Sequence, residues 1–150
     1  SDGQVVPAGL GCRDTLRMEM KYVLYGNDIS EETNPIEAGL GWITKTNKTS
    51  FIGKQKLLDL QLSHSKKLIC FEMIDRGIPR PGYALSDGSS IVGSVTSGTQ
   101  SPSLEKGIGL AYVEKEHSKA GTNLFIDVRG RQLKCEVVKA PFYKNGSVFS

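Results

Sequence analysis

Apolar positions along this chain change rhythm near residue 66. From Gly11 to Tyr25, Leu16, Met20, Val23 and Leu24 recur at intervals of three and four, which predicts a helix ended by Gly26. Asn27 to Ser30 reads as a loop, with Ser30 placed to cap a turn holding Glu31 and Glu32. Pro35 disfavours helical geometry in Asn34, so a second short helix is expected only from Ile36 to Ile43, ending beside Trp42. Gly53 to Leu62 carries Leu57, Leu58, Leu60 and Leu62 and predicts a third helix, closed by Ser63-His64-Ser65.

After Lys67 the pattern becomes that of strands. Leu68 to Ile74 is a mainly apolar run of strand length. Asp87-Gly88 lies between Gly82–Leu85 and Ile91–Val95, a hairpin arrangement in which glycine supplies a positive φ. A second hairpin is predicted from Asn123–Val128 and Gln132–Val138 around Arg129-Gly130-Arg131. Short strands between regular turn signals point to a small antiparallel sandwich or barrel. The fold class is therefore α+β: a short helical segment over residues 1–65, then a β domain over 66–150. The helical segment has too few apolar positions to bury three helices by itself. It is expected to pack on the β domain or on upstream chain, leaving apolar surface exposed.

Composition narrows the function classes. With 19 Lys and Arg against 16 Asp and Glu the net charge is +3, and the charges are scattered, which does not suggest nucleic-acid binding. No apolar stretch approaches the roughly 18 to 20 residues of a membrane-spanning helix. Cys12, Cys70 and Cys135 are odd in number and far apart, which argues against a disulfide framework or a zinc site. All three are expected to be free thiols buried as small apolar residues. His64 and His117 stand apart from sequence partners suited to a metal or a nucleophile triad, so neither is assigned chemistry and no metal is expected.

Two residues can be weighed for ligand binding on their own chemistry, although composition alone would not select Arg13. Arg13, near a helix start, offers a planar fork of donors suited to a carboxylate or a polar heterocycle, although an ordinary salt bridge is the commoner use of such a residue. Trp42, the sole tryptophan, can wall a pocket for a planar ring or pack in a core.

Three spaced blocks add a resemblance. Gly9-Leu10-Gly11-Cys12-Arg13-Asp14-Thr15-Leu16-Arg17-Met18-Glu19 is followed by Tyr25-Gly26-Asn27-Asp28-Ile29, and then by Asn34-Pro35-Ile36-Glu37-Ala38-Gly39-Leu40-Gly41-Trp42. Together with Gly93 to Leu104 and Ala111-Tyr112-Val113, they make the chain resemble the C-terminal portion of the glycine cleavage system T-protein, an aminomethyltransferase family of more than twice this length. The chain thus reads as a fragment. The resemblance implies transfer of a one-carbon unit from the aminomethyl-lipoyl arm of H-protein to tetrahydrofolate, with release of ammonia. It also implies partnership with lipoylated H-protein and with upstream T-protein segments, in a bacterial cytoplasm or, less favoured, a mitochondrial matrix. It assigns folate contact to Arg13 and raises the ligand-lining reading of Trp42.

Asp14, Arg17 and Glu19 share the motif but are expected to do structural work, through capping or charge pairing. The family's catalytic aspartate lies upstream of the Arg13 motif, so no catalytic residue is assigned in this chain and it is expected to be inactive alone. A C-terminal tyrosine that reaches the folate pocket in family members aligns with Ser147, leaving Tyr143 as a possible substitute. Two alternatives stay open: a related folate-binding demethylase-type domain, and a noncatalytic β-barrel interaction module. Asp75-Arg76-Gly77, Ser101-Pro102-Ser103 and Arg129-Gly130-Arg131 read as turns.

Overall fold

The structure, a computed structural model, describes residues 5–145. A helical segment is followed by a closed antiparallel barrel. Helix α1 spans Leu10–Glu19 and helix α2 Lys54–Ser63. The strands are β1 (Lys66–Met73), β2 (Ala84–Ser86), β3 (Ile91–Ser101), β4 (Lys106–Glu114), β5 (Asn123–Val128) and β6 (Arg131–Val138), joined around the barrel in the order β1-β4-β3-β2-β5-β6. Closure leaves no open sheet edge, which settles the choice between sandwich and barrel. β4 was legible only as part of a motif. Its Gly107 and Gly109 break the apolar run that marks β1.

Alternation sorts the barrel residues into two cores. Ile69, Phe71 and Met73 of β1 point inward with Ala111 and Val113 of β4, Leu124 and Ile126 of β5, and Cys135 and Val137 of β6. Leu68 and Cys70 point outward with Ile108 and Leu110, and there meet Met18 of α1 and Phe142. β1 is thus buried on both faces, which is why it reads as a nearly continuous apolar run. Gly98 and Gly109 face each other across β3 and β4. A β-carbon at Gly98 would overlap the Pro79 carbonyl and one at Gly109 the Phe71 ring, so both positions need glycine for close packing.

Both hairpins form. The β5–β6 turn is a two-residue turn with Arg129 at φ 55° and Gly130 at φ 80°, and the Asp127 carboxylate accepts the Gly130 N–H at 2.7 Å. In the β2–β3 turn, Asp87 accepts the N–H groups of Ser89 and Ser90, which hold its carboxyl below the usual range.

The N-terminal region differs from expectation in two places. α1 stops at Glu19, well short of Tyr25. The N–H groups of Lys21 and Tyr22 bond back to the carbonyls of Met18 at 2.8 Å and Arg17 at 2.7 Å, and Lys21 adopts φ 59°, which reverses the chain. The helical spacing of Leu16, Met20, Val23 and Leu24 was coincidental: Leu16 is exposed, and the buried residues of α1 are Arg17, Met18 and Glu19. The helix expected from Ile36 to Ile43 is instead a chain of turns. Asn34 caps its start, accepting the N–H groups of Ile36 and Glu37 at 3.0 Å each, and Gly39 at φ 72° interrupts it. Ser30 forms its expected turn, its hydroxyl accepting the Glu32 N–H at 3.2 Å. α2 forms where a helix was expected from Gly53 to Leu62, shifted by one residue with Gly53 as its cap, yet none of its residues is buried.

The three cysteines are free. Cys70 and Cys135 are buried, and burial pushes both thiols up to about 12. Cys12 departs from the expectation of burial: it lies in the first turn of α1, exposed to solvent. Exposed apolar surface is where it was expected, with Val5, Val6, Leu10, Leu16, Trp42 and Ile52 among the residues showing it.

Candidate functional site

The best-built polar arrangement joins α1 to the barrel. Arg17, only 9% exposed, commits its whole guanidinium. Nε donates to Asp14 at 2.8 Å, Nη1 to Asp28 at 2.7 Å and the Tyr22 carbonyl at 3.2 Å, and Nη2 to the Ser97 hydroxyl at 2.9 Å. Asp28, wholly buried, also accepts the Leu24 N–H at 3.0 Å and the Thr96 hydroxyl. Burial pushes the Tyr112 phenol up to about 12, so it keeps its proton and donates to the Asp28 carbonyl at 3.0 Å. Two residues after Arg17, buried Glu19 accepts from the hydroxyls of Ser101 and Ser103 and from the Ser103 N–H.

A bulge makes this possible. Val95 pairs with Ala111 and Ser97 with Leu110, so Thr96 is an extra residue in β3. Regular alternation would send Thr96 and Ser97 to opposite faces; the bulge aims both at the α1 segment. The block Gly93 to Leu104 is therefore the docking strip for the block Gly9 to Asp28. The expectation of structural work for Asp14, Arg17 and Glu19 understated its reach: Asp14 pairs along the helix with Arg17, but Arg17 and Glu19 also bond partners about 80 residues away in sequence. The run of hydroxyl residues in β3 was the docking strip's one trace in the sequence, and that run does not reveal the bulge.

Arg13 lies one turn before Arg17 on this fixed helix and is exposed. Among the described residues the ion pairs are those of Arg17 with Asp14 and Asp28 and of Lys106 with Glu72, so Arg13 is left uncommitted. Trp42 is 74% exposed, away from either core. Concavities occur elsewhere, among them about 740 Å3 at the Asp75–Gly77 turn, about 640 Å3 beside His64 and Glu114, and about 620 Å3 between β1 and the end of β6. Neither Arg13 nor Trp42 lines them. His117 is less isolated than its sequence suggested: the end of β4 and a 3₁₀ turn bring it within 4.8 Å of Glu114 and Glu116, on an exposed surface. Tyr143 is half-buried, its N–H donating to the Glu19 carbonyl at 3.0 Å, and Ser147 lies outside the described residues.

Known proteins match both regions. A family model of the glycine cleavage T-protein C-terminal barrel domain matches residues 66–144, and a GCVT N-terminal domain model matches residues 1–48. The aminomethyltransferase of Phocaeicola vulgatus is 56% identical over 144 residues, covering 93% of this chain and 40% of that protein. That of Halothermothrix orenii is 52% identical over 143 residues, with 95% and 40% covered. The crystal structure of the glycine cleavage system aminomethyltransferase T from Bartonella henselae superposes with a TM-score of 0.84 at 34% identity, covering 90% of this chain and 39% of that one. The chain thus spans about 40% of the length of the curated relatives it matches. The barrel model alone accounts for more than half of the 150 residues, and with its neighbour places the chain in the glycine cleavage T-protein family.

Proposed function

We propose that this chain forms the C-terminal part of an aminomethyltransferase that passes a one-carbon unit from the aminomethyl-lipoyl arm of H-protein to tetrahydrofolate, releasing ammonia. In this reading residues 1–65 end the folate-binding domain and 66–150 are its barrel domain. Lipoylated H-protein and the upstream part of the enzyme are its partners, in a bacterial cytoplasm. The observation that carries the reading is the contrast between two arginines one turn apart: Arg17 is spent on the barrel, while Arg13 stands exposed on the same immobilised helix, with no ion-pair partner among the described residues.

The donor set suits the substrate. A guanidinium fork can hold a carboxylate or the polar edge of a pterin, and an exposed indole can lie against a flat ring. Positioning of this kind lowers a barrier by fixing reactants in near-attack geometry, while proton transfer falls to carboxylates outside this chain. Arg13 and Trp42 therefore make one wall of a site that the upstream part completes, and the chain alone is inactive in glycine cleavage.

Titration calorimetry with 5-formyltetrahydrofolate tests the assignment, using this chain with and without a full-length relative's upstream portion supplied in trans. Saturable binding weakened by about 1.5 to 3 kcal/mol in Arg13→Ala is expected, as for loss of a charge-assisted contact. Equal affinity in the variant would remove Arg13 from the site.

A further inference from the structure

A second site, unrelated to Arg13, is visible where β1 and β6 part. Beyond Cys70 and Val138 the two strands no longer pair, and a groove of about 620 Å3 opens between them and the turn before β5. Four lysines line it: Lys21, Lys67, Lys119 and Lys139. Among the described residues, no acidic one does. Because the whole chain has a net charge of +3, everything outside this groove carries one net negative charge. None of the four ammonium groups joins an ion pair among the described residues. Asp28, an acid near enough to act on the Cys70 thiol at the groove floor, is already bound by Arg17 and Thr96. A concave surface lined by one sign of charge concentrates counter-ions.

Lys21 supplies an independent observation. It holds the left-handed position that ends α1, where glycine is the usual residue, at φ 59°. Its Nζ lies 3.0 Å from where a β-carbon of Gly39 would stand, so the bare backbone of Gly39 makes room for the ammonium. A lysine in a conformation that disfavours side chains, half-buried and without a carboxylate partner, is a cost to the fold that a bound anion would offset.

We propose that this groove binds a multiply charged anion bearing several carboxylate or phosphate groups, with Lys21 at its inner end and Lys67, Lys119 and Lys139 around its rim. The proposal is independent of the folate reading. Binding weakens as salt is raised, because the rim charges are exposed.

The test is isothermal titration of the 150-residue chain with tripolyphosphate and, separately, with tetraglutamate. Saturable binding of either is expected, the preferred probe distinguishing phosphate from carboxylate as the native chemistry. The combined change Lys67→Gln, Lys119→Gln and Lys139→Gln is expected to weaken it about tenfold, summing three exposed charge contacts. Lys21→Gly is the discriminating variant: it should weaken binding while leaving the melting temperature unchanged or raised, since glycine suits that backbone position. A purely structural lysine would instead lower the melting temperature and leave affinity alone. Absence of saturable binding by both probes, or affinity indifferent to all four substitutions, would overturn the proposal.

Discussion

The barrel and the region before it are held together in opposite ways. Within the barrel, apolar side chains from all six strands fill a closed interior to which α1 and α2 contribute no residue. Among the described residues before residue 66, only Met18 and Ala38 are buried apolar side chains, while Arg17, Glu19 and Asp28 are buried and charged. α1 is therefore fixed through directional polar contacts on the barrel's outer wall, leaving much of its apolar surface open. α2, with four leucines and no buried residue, shows what that region is like without such anchors. Apolar burial makes the barrel a stable body; hydrogen-bonded charges set the helix at one place and angle on it.

Breaking the anchor should have the largest effect. Arg17→Ala leaves the Asp28 carboxylate buried without its counter-ion, and a loss of about 3 to 5 kcal/mol in urea unfolding is expected. Removing both charges, as Arg17→Met with Asp28→Leu, should cost less than the sum of the single changes; additive costs would mean the two groups do not act as a pair. Next is Met18→Ala, which empties the apolar contact between α1 and the outer face of β1 and β4. A loss of about 2 to 4 kcal/mol is expected by thermal denaturation, and a negligible one would show that α1 is not packed there. Glu19→Ala deprives Ser101 and Ser103 of their acceptor and should cost about 1 to 3 kcal/mol by the same measurement. At the other end of the scale, Leu62→Ala in α2 should change stability by no more than about 0.5 kcal/mol, because Leu62 is 88% exposed.

Thiol chemistry sharpens the contrast further. Iodoacetamide near neutral pH should add to Cys12 alone, as mass spectrometry of the peptides would reveal; modification of Cys70 or Cys135 in the native protein would show that the barrel wall opens readily. Both buried thiols keep their protons up to about 12, against 9.0 for an ordinary cysteine. The unfolded chain ionises first, so stability should fall as pH rises through that interval.

The sequence was legible where one physical cause dominates locally. β1 announced itself because both of its faces are buried, and the hairpins because Asp87-Gly88 and Arg129-Gly130 carry their own turn chemistry. α1 was overextended because the periodicity of Leu16 to Leu24 continues past Glu19. The stop is made by Lys21 in a position normally given to glycine, which its residue type conceals. The turns from Asn34 to Thr44 misled for a different reason: Gly39 takes φ 72° inside the stretch expected as a helix, and a single glycine does not announce from sequence that it breaks one. The docking strip was invisible as such. A serine in a strand looks solvent-facing until the bulge at Thr96 and the partner on a distant helix are known. Arg13 and Arg17 look alike in sequence, and only their three-dimensional surroundings separate the committed arginine from the free one.

Native-state hydrogen exchange resolved along α1 tests most directly whether polar anchoring makes this helix part of the barrel's folded unit. The amides of residues 14–19 should be protected to within about 1 kcal/mol of those in β1 and β4, and Arg17→Ala should strip protection from α1 while β1 keeps most of its own. Unprotected α1 amides in the unmodified chain, beside a protected barrel, would contradict the account.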